Sequence, residues 1–393
     1  MGKYIIISLL LLFLIFPIQA SEKSEIWMKI YQRSNNLVSK IKVMRNFEET
    51  ANRDFIPLIT DILSEISDKQ EPKNFIEKNR HEELTLLAIK IAYKIKARQA
   101  TDHLYKILNQ SKNPLIIAYS LMAIGAGGDK KYNEVFYEML VNKNARLMHG
   151  DKPEEYVVYG LLDAIGNLKH EKSFIPVFYT RYLGYSKRIQ KKAGLTLDRI
   201  QVDPAEKCLQ IIIEAIDIYY KERAYEYVMN ADLDNEKKIQ VARATLDYAV
   251  KSKFTTDVVL LNKMKNMRNL ATQHLGELKA GDEAIVDLLA DKFKMDRDLE
   301  SQLIVISALE KINSKKSAGL LVSYLNDYNK RAEAGMGQGK GIEGNRILRA
   351  IILAIGNIGS VVAYEELMVT SSLTDIYSYE IIKMANDSLK KLK

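Results

Sequence analysis

The residues that most often carry chemistry do not fall here into the spacing of a catalytic or metal-binding motif. His81 is followed by two glutamates, as in the zinc-binding HExxH motif, but Thr85 stands where that motif needs its second histidine. Cys208, the single cysteine, lies in an apolar helical run, which favours a buried structural thiol over a nucleophile. In the glycine-rich stretch 335–341, Gly341 replaces the Ser or Thr that a phosphate-binding loop requires.

Because each of these motifs is incomplete, the sequence predicts that the protein has no catalytic residue, no metal ligand and no cofactor, and that it is not an enzyme. An enzyme whose carboxylates converge only in the folded chain is the alternative that spacing leaves open.

A basic cluster is the strongest candidate for a binding surface. Lys187, Arg188, Lys191 and Lys192 fall on one side of a predicted helix over 186–200, opposite its apolar residues. The nearby tyrosines Tyr182 and Tyr185, and the arginines Arg346 and Arg349 on another predicted helix, extend the candidate set. The competing interpretation is a solvated face, which is the commoner case in a lysine-rich protein.

The elements that carry this cluster recur along the chain. Ala123-Ile124-Gly125, Ala164-Ile165-Gly166 and Ala354-Ile355-Gly356 each close an apolar helical pattern, and weaker copies lie between them at a period of roughly forty residues. Each copy reads as two helices joined by a short turn, and the small residues Ala118 and Gly160 would let neighbouring helices approach closely. No period-two strand pattern is present, so the sequence predicts an all-α fold.

The string from Ala354 to Gly359 and the string from Ala164 to Leu168 resemble the second helix of HEAT repeats. The resemblance covers roughly residues 82–393. It implies a right-handed α-solenoid of antiparallel helix pairs, whose second helices line a concave surface that binds a protein or peptide.

The domain organisation predicted around this solenoid has three further parts. Residues 1–20 form a secretory signal peptide, with a basic start at Lys3, an apolar run and a cleavage site after Ala20. Residues 21–81 form an N-terminal helical cap, and residues 329–345 form a glycine-rich insertion within a repeat. No cysteine lies near the cleavage site, so a lipoprotein signal is absent and a periplasmic or secreted bacterial protein is predicted.

The function predicted from these features is an exported, non-catalytic scaffold that binds an unidentified protein or peptide on its concave face. The alternative is a binder of an acidic polymer or an anionic membrane surface, because the net charge is +8. A nucleic-acid partner is not expected, since the signal peptide directs the chain away from cytoplasmic DNA and RNA. The oligomeric state does not follow from the sequence.

Overall fold

The fold is known from a computed structural model, which describes residues 25–69, 72, 74–152, 154–252, 256–335 and 342–392. The predicted signal peptide, residues 1–20, lies outside these ranges. Within them all regular structure is helical, which confirms the predicted all-α class. Internal contacts divide the chain into two compact units between Val202 and Asp203.

The first unit contains ten α-helices within its described residues. They are α1 (residues 25–33), α2 (Leu37–Thr50), α3 (Ile56–Asp68), α4 (Phe75–Ile95), α5 (Thr101–Gln110), α6 (Pro114–Gly127), α7 (Asn133–Met148), α8 (Glu155–Leu168), α9 (Phe174–Tyr182) and α10 (Lys187–Leu197). From α3 onward these helices form consecutive antiparallel pairs, α3 with α4 up to α9 with α10.

The second unit contains ten further α-helices in the part of the chain that the structure describes. They are α11 (Pro204–Glu214), α12 (Ile218–Asn230), α13 (Asn235–Lys251), α14 (Val258–Glu277), α15 (Glu283–Met295), α16 (Leu299–Ile312), α17 (Lys315–Glu333), α18 (Ile342–Ile358), α19 (Tyr364–Ser372) and α20 (Tyr379–Leu389). They form five pairs, α11 with α12 up to α19 with α20.

Each unit is built as two layers of helices. In the first unit α4, α6, α8 and α10 pack on one another in order as the second layer, and α3 on α5 and α7 on α9 form the first layer. In the second unit α11, α13, α15, α17 and α19 form the first layer, and α12, α14, α16, α18 and α20 form the second. This arrangement of paired helices in successive repeats confirms the predicted helical-repeat class.

Small residues set the spacing inside the second layer. A Cβ atom placed on Gly160 of α8 would lie 2.6 Å from the carbonyl oxygen of Ala118 in α6, and one on Gly125 would lie 2.4 Å from the Cα of Ala164. No side chain larger than hydrogen fits at either glycine without moving a helix. The close approach predicted from Ala118 and Gly160 is thus confirmed.

Two predicted boundaries fall inside helices. The division between cap and solenoid, at residues 81 and 82, lies within α4. The predicted insertion 329–345 begins in the last turns of α17, where Asn329 is buried, and ends in the first turn of α18. Residues 336–341 of the insertion lie outside the described residues. The cap and the insertion as separate functional segments stay predictions.

Candidate functional site

The basic cluster lies at the end of the first unit, where α10 packs on α8. Glu155, at the start of α8, accepts hydrogen bonds from the Ser186 backbone nitrogen at 2.8 Å and the Ser186 hydroxyl at 2.6 Å. A carboxylate at a helix N-terminus satisfies a free N–H group and opposes the positive end of the helix dipole. Glu155 therefore fixes where α10 begins relative to α8, and with it the position of the cluster.

Two tyrosines of α8 face the cations of α10. The Arg188 guanidinium carbon lies 4.7 Å from the centre of the Tyr159 ring and 5.9 Å from the centre of the Tyr156 ring. The Lys192 ammonium lies 5.0 Å from the Tyr159 ring centre. Cations at these distances are attracted to the face of an aromatic ring, so the Tyr159 ring attracts both positive charges.

Lys192 does not have the exposed position that the sequence predicted. Its Nζ lies 2.5 Å from Asp163 Oδ1, and the two side chains are only 11% and 7% exposed. Asn167 Nδ2 donates a further hydrogen bond to Asp163 at 3.1 Å. The charge of Lys192 is neutralised inside the α8–α10 contact, because helix periodicity predicted its side but could not show the acid opposite it.

Tyr185 is also placed differently from the prediction. Its ring is buried, and its hydroxyl donates to Asn144 Oδ1 of α7 at 3.1 Å. Burial raises the pKa of Tyr185 to about 12. Tyr185 therefore supports the connection between α9 and α10 from inside and offers no contact area to a partner.

The remaining residues of the predicted cluster border an open depression between α9 and α10. Its volume is about 450 Å³, and its lining includes Arg181, Tyr182, Lys187, Lys191, Leu195 and Asp198. Lys187 and Lys191 are exposed, and neither forms an ion pair with any carboxylate among the described residues. Tyr182 is half-buried beneath the Arg181 guanidinium, 5.5 Å from its ring centre.

The two predicted arginines of the second unit lie on α18. Arg349 forms an ion pair with Glu380 of α20. Arg346 is exposed. These residues belong to a different unit from the α10 cluster.

Several residues of the first unit's second layer were missed by the sequence analysis. Besides Tyr156 and Tyr159, the Tyr119 ring of α6 lies 5.3 Å from the Lys90 ammonium of α4. Tyr93 of α4 is half-buried, and burial, with smaller contributions from Asp163 and Tyr159, raises its pKa. The signal was present in the sequence, since Tyr119 and Tyr159 each precede an Ala-Ile-Gly motif by less than two helical turns.

No group of three or more His, Cys, Asp or Glu side chains in the described ranges is placed to hold a metal ion. Over the same residues, no helix combines the length and the apolar character that crossing a membrane requires. Cys208 is buried, and burial raises the pKa of its thiol, as expected of a structural cysteine.

Comparison with known proteins gives a likeness to solved structures. No protein-family model matches the chain, and no curated protein matches it. Among solved structures, the complex of CpcE and CpcF of phycocyanin lyase from Nostoc sp. PCC7120 is similar at a TM-score of 0.36 and 13% sequence identity. The match covers 62% of this chain and 94% of that chain.

This finding corrects one prediction. The sequence analysis predicted that the protein is not an enzyme, whereas the structurally similar chain belongs to a lyase. A search for catalytic motifs of fixed spacing finds only sites made of residues close in sequence. A helical repeat can also assemble a site from residues distant in sequence. The exclusion of catalysis is withdrawn. A TM-score below 0.5 assigns no activity to this chain.

Proposed function

We propose that this protein is an exported helical-repeat protein that binds a protein or peptide partner on the second layer of its first unit. The observation that carries the proposal is the cluster of Arg188, Tyr156 and Tyr159 beside the open depression between α9 and α10. Tyrosine and arginine are among the residues enriched at protein interfaces, and Tyr156 is 55% exposed.

The way these side chains are held supports recognition. Arg188 rests on two tyrosine rings, and Glu155 fixes the start of its helix. Side chains that are already ordered lose less conformational entropy when a partner binds, so more of the contact energy appears as affinity. A face of loose lysines on a solvated helix would not have this organisation.

Export rests on the sequence alone. The basic start, apolar run and small residue at Ala20 support cleavage after that residue and a periplasmic or secreted location in a bacterium. Mass spectrometry of the protein isolated from its own cells tests this. The expected N-terminus is Ser21, and a mature protein that retains residues 1–20 would contradict the proposal.

Site-specific photocrosslinking tests the binding face. A photoreactive amino acid replaces Tyr156 or Leu195 on the second layer, and Glu138 on α7 serves as a control because it is exposed on the first layer of the same unit. Crosslinking in the cell envelope is expected to give the same defined adduct from Tyr156 and Leu195 and none from Glu138. No adduct from the second-layer positions, or equal adducts from all three, would overturn the proposal.

A further inference from the structure

The depression between α9 and α10 has a chemical polarity that specifies its ligand. We infer that the partner presents an extended acidic segment, with one carboxylate between Lys187 and Lys191 and an apolar side chain on Leu195. This inference rests on the proposed function, because it names the chemistry of the partner at the same face.

Lys187 and Lys191 are one helical turn apart on the same side of α10, so their ammonium groups can reach a single carboxylate. Neither lysine has an acidic partner among the described residues, in contrast to three other lysines of the second layer. Lys94 of α4 pairs with Glu48, Lys265 of α14 with Asp298, and Lys311 of α16 with Glu277. The α10 pair is thus a positive site that the described residues of the protein do not neutralise.

The apolar part of the depression lies one turn further along α10. Leu195 is 52% exposed, and Tyr182 lines the same depression. Four residues of helix advance about 6 Å, which two residues of extended chain also span. The spacing from Lys191 to Leu195 therefore fits a segment in which an acidic and an apolar residue stand two positions apart.

One acid, Asp198, also lines the depression, and it determines at which end of the depression the acidic residue of the segment binds. Asp198 follows the last residue of α10, about 16 Å along the helix axis from Lys187. A partner carboxylate is attracted to the lysine end and repelled from the Asp198 end. The acidic residue of the segment consequently lies towards the start of α10.

Binding of designed peptides to the full mature chain tests the inference. The probe is a fluorescein-labelled peptide of about twelve residues, long enough to span roughly 40 Å when extended, with Glu-Ser-Leu-Ser repeats. Its twin carries Gln in place of Glu. Fluorescence anisotropy at low salt is expected to show the Glu peptide binding about tenfold more tightly, a difference of about 1.4 kcal/mol. Equal affinity for the two peptides would overturn the inference.

Charge reversal localises the effect. The double variant Lys187→Glu, Lys191→Glu is expected to abolish the preference for the Glu peptide, and both positions are exposed, so the melting temperature should not change. The matched control is Lys383→Glu, an exposed lysine at the corresponding position of α20. A preference for the Glu peptide that survives in the double variant would place the acidic site elsewhere and overturn the inference.

Vesicles containing phosphatidylglycerol, and polyphosphate, are tested in parallel with phosphatidylcholine vesicles as the neutral control. If the anionic probes bind more tightly than the Glu peptide and the double variant loses them, the ligand is an anionic surface or polymer and the peptide inference falls. If photocrosslinking succeeds at Tyr156 and Leu195 while the Glu and Gln peptides bind alike, the inference fails and the proposed function stands. If both fail, the face does not bind a protein.

Discussion

Two regions of the molecule each contain the same buried hydrogen-bond network. They are the end of the first unit, from α7 to α10, and the end of the second unit, from α17 to α20. In the first, Asn144 of α7 accepts hydrogen bonds from the Thr180 hydroxyl at 3.0 Å and the Tyr185 hydroxyl at 3.1 Å. In the second, Asn329 of α17 accepts from the hydroxyls of Thr370 at 3.2 Å and Tyr377 at 3.1 Å. The same three residue types, buried in the same order, hold both regions together.

The surfaces over these cores differ. Tyr159 and Arg349 occupy the same place, counted back from Gly166 and Gly356 of the matching Ala-Ile-Gly-Asn motifs. Across from them, Tyr159 meets Arg188 of α10, whereas Arg349 meets the acid Glu380 of α20. In both regions the buried network ties two first-layer helices to the start of the last second-layer helix. The comparison teaches that the same buried network can lie beneath outer faces of different chemistry.

The largest effect on stability is expected when the buried ion pair of Asp163 and Lys192 in the first region is broken. Lys192→Met leaves Asp163 buried without its cation and is expected to lower the free energy of unfolding by about 3–5 kcal/mol, measured by urea denaturation. The equivalent positions in α18 and α20 are Leu353 and Met384. The double variant Asp163→Leu, Lys192→Met, which copies them, is expected to recover all but about 1 kcal/mol. A double variant as unstable as the single one would refute the correspondence.

The next effect tests whether the two buried networks are equivalent. Asn144→Ala and Asn329→Ala each leave a buried tyrosine hydroxyl without its acceptor, while the threonine hydroxyl keeps a backbone carbonyl, of Pro176 or of Glu366. Each substitution is expected to cost about 2–3 kcal/mol. Hydrogen exchange should show the loss of protection in the unit that carries the substitution. Asn142→Ala, at an exposed position of α7, is the control and should change stability by less than about 0.5 kcal/mol. A loss confined to one of the two buried variants would show that the networks are not equivalent.

A smaller effect separates the two glycines of the matching motifs. A Cβ on Gly356 would lie 2.4 Å from the Ser388 hydroxyl and 3.1 Å from the Ser388 Cα, whereas a Cβ on Gly166 would meet the flexible Arg199 side chain at 3.2 Å. Gly356→Ala is therefore expected to cost about 1–3 kcal/mol. Gly166→Ala should stay within about 1 kcal/mol of the parent, because alanine favours the helix. Similar losses at both glycines in thermal unfolding would contradict this difference.

The smallest effect is a dependence on pH. Burial lowers the pKa of His274 in the second unit and of His170 in the first. The unfolded pKa is about 6.5, so the unfolded chain binds more protons and stability falls as the pH drops below that value. The Tyr225 hydroxyl oxygen lies 2.7 Å from His274 Nδ1, within hydrogen-bond distance. Melting temperature should fall between about pH 7.5 and 5.5, and less in His274→Gln. An unchanged slope in that variant would count against His274.

Much of this fold follows from the sequence because its information is local. The Ala-Ile-Gly motifs and the three- and four-residue spacing of apolar side chains predicted the helix pairs, and Ala118 and Gly160 predicted a close helix contact. These features depend on one helix and its nearest neighbour. Repeats are therefore readable even where no protein-family model matches.

The site was only partly predictable because its geometry depends on residues far apart in the chain. Lys192 was correctly placed on the side of α10 away from Ile189, but its partner Asp163 lies on another helix, 29 residues earlier. Tyr185 was predicted to be a surface aromatic, but its hydroxyl donates to Asn144, which lies 41 residues earlier on α7. Periodicity shows which side of a helix a residue occupies, and it does not show what faces that side.

The residues of each buried asparagine network lie within 48 positions of one another in the sequence, and this closeness affects how the protein folds. The Asn144 contacts close within 41 residues of chain, and the Asn329 contacts close within 48. Domains dominated by such local contacts fold quickly, because little loop-closure entropy is lost before the first stabilising contacts form. During synthesis, the end of the first unit can close its network as soon as Tyr185 has emerged. The first unit therefore need not wait for the second to be made.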